Sequence, residues 1–170
     1  GKLRDAETII SRMIDRTVRP LIVEGWACDT QIMATVLSAD KEHPTDTLSL
    51  LAASAALTLS DIPFDGPVAA IRVCKIDGEL SINPSFEEIE KATLNIFVSC
   101  SKDAIIMVEG GGKVISEEEM IEALFFAHES AQDAIAAQET MQKEAGKEKR
   151  EVIPYVVDET LRESVIKHAK

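Results

Sequence analysis

The sequence predicts an α+β layer fold. Helical periodicity opens the chain, two strand pairs with tight turns fill its middle, and one long helical stretch follows them. Strands joined by tight turns are antiparallel neighbours, which argues against a doubly wound parallel sheet, where each crossover needs a long connection.

Residues 5–18 place Ile9, Ile10, Met13, Ile14 and Val18 on one helix face, and Pro20 ends that helix. Residues 28–39, CDTQIMATVLSA, alternate in part and are rich in β-formers, which predicts a strand. Residues 44–59 form a small-residue helix in which Leu48, Leu51, Ala52, Ala55, Ala56 and Leu59 are expected to bury, with Ala53 and Ser54 permitting close packing. SDIPFDGP at 60–67 is turn chemistry. Residues 68–76 and 79–82 predict a hairpin across Asp77-Gly78, and 87–91 a short helix or turn. A second hairpin is expected from 92–101 and 104–109, followed by a flexible glycine corner at 110–112. Ser116 and Glu119 make a capping box for a helix running to Ala145, with Gly146 as its stop. Residues 147–155 read as a charged linker, and Asp158 as the cap of a last helix over 159–169.

The chain has 170 residues, a net charge of −12, 45% hydrophobic and 28% charged residues, which suits a folded core. No apolar run is long enough for a membrane span, and charged residues 1–5 are not a signal-peptide pattern. Cys28, Cys74 and Cys100 are too few and too widely spaced for a disulfide framework or a zinc site; they read as reduced core or strand residues. The acidic balance excludes a generic nucleic-acid coat, so any RNA or DNA contact must be local.

One local exception stands out. Residues 1–20 hold five Lys/Arg against three acids, a charge of +2, so the remainder carries −14. Arg12, Arg16 and Arg19 recur at i, i+4 and i+7, on one face of a helix. The arginine fork suits phosphate oxygens. Pairing of these arginines with Glu7 and Asp15 is the competing reading.

Other motifs carry less. GGGK at 110–113 lacks Walker-loop spacing, and Glu117, Glu118 and Glu119 after it would repel an anion. His43, His128 and His168 have no partners at metal-ligand spacing, and Ser54, Ser60 and Ser99 have no recognisable histidine partner. The sequence thus offers no catalytic residue and no metal ligand.

Several strings in one order resemble the first ribonuclease PH-like domain of the polynucleotide phosphorylase family. They are ETIISRMIDRTVRPL (7–21), EGW (24–26), ASAALTLSDIPFDGPVAAIRV (53–73), INP (82–84), MVEG (107–110), SEEEMIEALFFAHE (116–129) and AGK (145–147). The resemblance implies a ribonuclease PH-like two-layer fold, with a mixed sheet packed by helices, over 1–150. On this resemblance the opening strands are expected to be missing, leaving an unsatisfied sheet edge or an uncovered apolar face that should associate or rearrange. Residues 151–170 would be a linker and the first helix of an all-helical domain.

The same resemblance implies part of a phosphate-dependent 3′→5′ exoribonuclease that degrades RNA to nucleoside diphosphates. Inorganic phosphate is its co-substrate, Mg²⁺ or Mn²⁺ its cofactor, and a homotrimeric ring its assembly, with further partners in RNA-degradation complexes. Bacterial cytoplasm or an organelle matrix would be its location. In the family's R-x-x-x-R-x-x-R-P stretch, Arg12, Arg16 and Arg19 are the RNA or phosphate contacts, with Arg16 and Arg19 favoured over Arg12. Family departures at Thr17 and Ala127 leave the arginines in place. The piece alone is expected to bind no metal and to have little or no phosphorolytic activity. The alternatives are a non-catalytic RNA-guiding or ring-forming module of an exosome-like assembly, and an acidic interaction protein without an RNA role.

Overall fold

The computed structural model describes residues 4–153 and 158–169. Four strands form one sheet in the order β2-β1-β3-β4. They are β1 (Ala69–Ile76), β2 (Glu79–Ile82), β3 (Leu94–Cys100) and β4 (Ile105–Gly112). Five α-helices accompany them: α1 (Asp5–Val18), α2 (Asp46–Leu59), α3 (Phe86–Lys91), α4 (Glu117–Ala145) and α5 (Glu159–Ala169). A 3₁₀ turn over Arg19–Leu21 closes α1 where Pro20 interrupts it.

The predicted α+β class holds, and both hairpins, the Ser116–Glu119 capping box and the long helix lie where the sequence places them. Two details of the layer arrangement differ. All three ladders are antiparallel, so the sheet is not mixed among the described residues. Helices also cover both sheet faces, giving three layers in place of two. The reason lies in β1 and β3, which are buried along most of their length on both faces. Val68, Ala70, Phe97 and Met107 pack with Met13, Ile14, Val18 and Leu50 of α1 and α2. Their neighbours Ala69, Ile71, Val73, Ile96 and Val98 pack with Ala123, Ala127, Ala131 and Ile135 of α4. Alternation sends successive side chains to opposite faces. The alanine stripe lets α4 lie close to the sheet, and Ala127 is fully buried within it.

Three local expectations fail. Residues 28–39 form no strand and are almost all exposed. β-propensity reports fit to a pleated, half-buried surface, and no described strand lies alongside to supply one. Cys28 is therefore exposed, whereas Cys74 and Cys100 are buried, with burial raising the Cys100 thiol to about 12. On α2 the buried residues are Asp46, Thr47, Ser49, Leu50, Ala53, Ser54, Leu57 and Thr58, while Leu48 is exposed. Finally, the glycines at 110–112 continue β4, paired to Ile96, Asn95 and Leu94.

Polar anchors explain the α2 orientation. Arg72 on β1 donates through Nε and Nη2 to Asp46 Oδ2, and Ser54 Oγ accepts from the Val68 N–H at 2.9 Å. At the C-terminus of α2, Lys149 Nζ donates to the carbonyls of Leu57, Thr58 and Ser60 at 2.8, 3.0 and 2.7 Å. Backbone bonds from the Lys147 and Arg150 N–H groups to the Leu59 and Asp61 carbonyls hold residues 147–150 against the C-terminal end of α2. The expected linker continues into 154–155, outside the described residues. Asp158 caps α5 as predicted, accepting from the Thr160 and Leu161 N–H groups.

Gly110 has φ of +154°, and a Cβ there would lie 2.2 Å from the Asn95 carbonyl oxygen, whereas nothing lies within 4 Å of a Cβ at Gly111. Gly110→Ala should therefore destabilise by about 2 kcal/mol or more, and Gly111→Ala should be within about 1 kcal/mol of wild type. Urea denaturation of the two variants checks this.

Lys75 on β1 meets Glu119 of α4 at 2.6 Å. That bond, with the Ser116 N–H and hydroxyl, lowers the Glu119 carboxyl from 4.5 to about 2. The contribution is complete above the unfolded value of 4.5 and is lost as pH falls towards 2. Glu119→Gln should lower Tm at neutral pH and flatten the fall of Tm across that acid window, as read by thermal melts.

Candidate nucleic-acid interface

Helix α1 packs on the sheet through Met13, Ile14, Thr17 and Val18. Ile10 is partly buried against the same core, whereas Ile9 is 52% exposed and leaves the expected apolar face. Thr17 fixes the rotation of the helix: its buried hydroxyl lies 2.9 Å from both the Met13 carbonyl and Ser99 Oγ of β3. With that side seated, Arg12, Arg16 and Arg19 are all exposed, as the i, i+4, i+7 spacing predicts. A rise of 1.5 Å per residue separates Arg12 from Arg16 by roughly 6 Å along the axis.

The three guanidinium groups differ in their carboxylate partners. Arg19 is held by Asp15 through Nε at 3.2 Å and Nη2 at 2.6 Å, occupying one edge of its fork. Arg16 donates through Nη1 to Glu109 Oε2 of β4 at 2.7 Å. Arg12 has no ion pair among the described residues. Glu7 is engaged by Arg4 at 2.7 Å and not by the stripe, and the Arg4 backbone N–H, followed by its guanidinium, lowers the Glu7 pKa. Asp15 therefore pairs as the competing reading expects, and Glu7 does not.

Glu109 is the partner that sequence reading missed. Its signal was strand alternation: Glu109 is two residues beyond buried Met107, so both point to the α1 face of the sheet. Knowing which helix covers that face required the tertiary structure.

A second cationic position is closed. Arg72 is largely buried, with Nε and Nη2 on Asp46, Nη1 2.6 Å from Asn95 Oδ1, and its guanidinium 5.8 Å from the Phe97 ring centroid. A cavity of about 190 Å³ beside it is lined by His43, Asp46, Arg72 and Asn83. His43 faces Asp40 at 2.5 Å, which raises the imidazole pKa and holds the carboxyl at about 2. Ser54 and Ser99 serve backbone and Thr17 contacts, and His128 lies 3.3 Å from the Gln132 amide nitrogen. Among the described residues no group of three or more His, Cys, Asp or Glu side chains converges as a metal centre. The described residues therefore do not fit a Mg²⁺ or Mn²⁺ site. No described helix is long and apolar enough to cross a membrane.

A four-stranded antiparallel sheet between α1/α2 and α4 defines a ribonuclease PH-like α+β core. The chain belongs to the 3′ exoribonuclease family: domain 1 of that family matches residues 1–63 and domain 2 matches residues 66–130. The junction falls between α2 and β1. A polyribonucleotide nucleotidyltransferase of Trichlorobacter lovleyi is 50% identical over 165 residues, 97% of this chain and 24% of that protein. Its counterpart in Geotalea daltonii is 53% identical over 161 residues, 95% of this chain and 23% of that protein. The chain thus spans about a quarter of the length of these relatives. The crystal structure of rice Rrp46 shares the fold, with a TM-score of 0.61 at 17% identity, covering 84% of this chain and 66% of that one.

Exposed ion pairs contribute little to stability. Arg12→Ala and Arg16→Ala should each melt within about 3 °C of wild type. Thermal denaturation followed by far-UV circular dichroism checks this.

Proposed function

We propose that this chain is part of a phosphate-dependent 3′→5′ exoribonuclease, in which α1 supplies guanidinium groups to the RNA path. The observation that carries the reading is the 50% identity to a polyribonucleotide nucleotidyltransferase across 97% of the chain. In the proposed reaction, inorganic phosphate attacks the terminal phosphodiester at the RNA 3′ end. The shortened RNA leaves with the 3′ oxygen, and the last nucleotide departs as a nucleoside diphosphate. The contribution of this chain is to bind and orient. Arg12, Arg16 and Arg19 meet backbone phosphates, which hold RNA without reading its sequence.

On this reading Mg²⁺ or Mn²⁺ and the reacting groups lie in other parts of the longer protein. That protein works as a homotrimer in the bacterial cytoplasm or an organelle matrix, with partners in RNA-degradation complexes. Helix α5 opens a following all-helical domain.

Binding of a single-stranded oligoadenylate to the 170-residue chain, measured by fluorescence anisotropy across a salt series, tests the reading. We expect log K to fall with log salt with a slope of about −0.7 per phosphate contacted, and the triple variant Arg12→Ala/Arg16→Ala/Arg19→Ala to lose most of that slope. Equal slopes for wild type and variant would overturn the role of the stripe. Robust phosphate-dependent release of nucleoside diphosphates by this chain alone would place the reacting groups within it, contrary to the reading.

A further inference from the structure

Strand β4 brings an acid to the arginine face. Its register pairs Met107 with Ser99 and Glu109 with Phe97 on β3. Met107 and Phe97 belong to the core beneath α1 and α2, so Glu109 faces the same helices from the exposed end of that row. There its Oε2 accepts from Arg16 Nη1 at 2.7 Å, with the Arg16 and Glu109 side chains 50% and 48% exposed. The pair joins residues 93 positions apart in the chain.

We propose that Glu109 is an intramolecular stand-in for an RNA phosphate, which attenuates RNA binding at Arg16. The proposal rests on the RNA-path reading above. Glu109 presents a carboxylate oxygen where a phosphate oxygen would otherwise sit, and its charge repels an incoming backbone. Both side chains are half in water, so the contact is cheap to exchange. Of the Arg16 nitrogens only Nη1 has a partner among the described residues, which leaves the rest of the fork open to a phosphate. The three arginines then form a graded series. Arg12 is open, Arg16 is held at one nitrogen by a residue from another element, and Arg19 is held along one edge by a neighbour on its own helix. RNA meets Arg12 without a competitor and must displace Glu109 to use Arg16 fully. Affinity at this face is thereby held down, as suits a surface along which RNA must slide.

The test is a double-mutant cycle on the 170-residue chain, with single-stranded oligoadenylate as probe, across a salt series. Glu109→Gln keeps the shape and removes the charge. It should tighten binding about two- to fivefold in the Arg16 background, the worth of one exposed ion pair, and steepen the salt slope by about 0.7, one added phosphate contact. In the Arg16→Ala background the same substitution should leave affinity and slope within error. Unchanged binding by Glu109→Gln, with wild-type binding still weakened by Arg16→Ala, would overturn the attenuation and leave the RNA-path reading intact. Equal tightening in both backgrounds would reduce Glu109 to bulk negative charge and overturn the proposal too. Absence of salt-sensitive binding in every variant would overturn both readings. Thermal melts confirm that each variant is folded.

Discussion

The double-sided burial of β1 and β3 is the constraint on which the other elements depend. Val73, Ile96 and Val98 require cover on one face, and Ala70 and Phe97 require it on the other. A sheet with two apolar faces must be sandwiched, so α4 takes one side and α1 with α2 the other. The edge strands follow from the same constraint. β2 has no buried residue, and β4 is mostly exposed and ends in the glycine-rich sequence that a central strand would exclude. The arginine face exists because α1 is seated over the β3–β4 side of this sheet by Met13, Ile14 and the Thr17–Ser99 contact.

Burial also separates two kinds of cation. Arg72 is shielded and engaged by Asp46 and Asn95, so releasing it would strand a buried carboxylate, which is costly. It works as a brace between β1 and α2. Arg12, Arg16 and Arg19 stand in water, where ion pairs are weak and exchangeable. Only the second kind can offer charge to a ligand. An arginine count could not have separated the two, because β1 carries no local sign of the Arg72 partner 26 residues earlier.

Helix α2 shows where pattern reading runs out. DTLSLLAASAALTL is apolar or small on every side, so its periodicity does not choose a face. Leu48, Ala52 and Ala56 line a groove of about 640 Å³ with Met33, Val36 and Leu37 of the irregular 28–39 segment, while Thr47, Ser54 and Thr58 go inside. Specific polar contacts, Asp46 to Arg72 and Ser54 to the Val68 N–H, overrule the preference of leucine for burial. The 28–39 segment erred for a related reason: its residues suit a strand, but a strand is made by a partner and no local run supplies one.

Sequence alone determined what is local in this protein. The capping box of Ser116 and Glu119, the Asp77-Gly78 turn, the stop at Pro20 and the exposed arginine spacing on α1 depend on residues within a few positions of one another, where backbone geometry leaves few options. The ordered strings that resemble polynucleotide phosphorylase were likewise legible by reading along the chain. Tertiary structure decided what is distant: which side of α2 is buried, that the glycines at 110–112 pair with β3, and that Glu109 meets Arg16 across 93 residues. Those outcomes depend on which surfaces meet when the sheet is enclosed, and side chains far apart in sequence carry no local trace of one another before it closes.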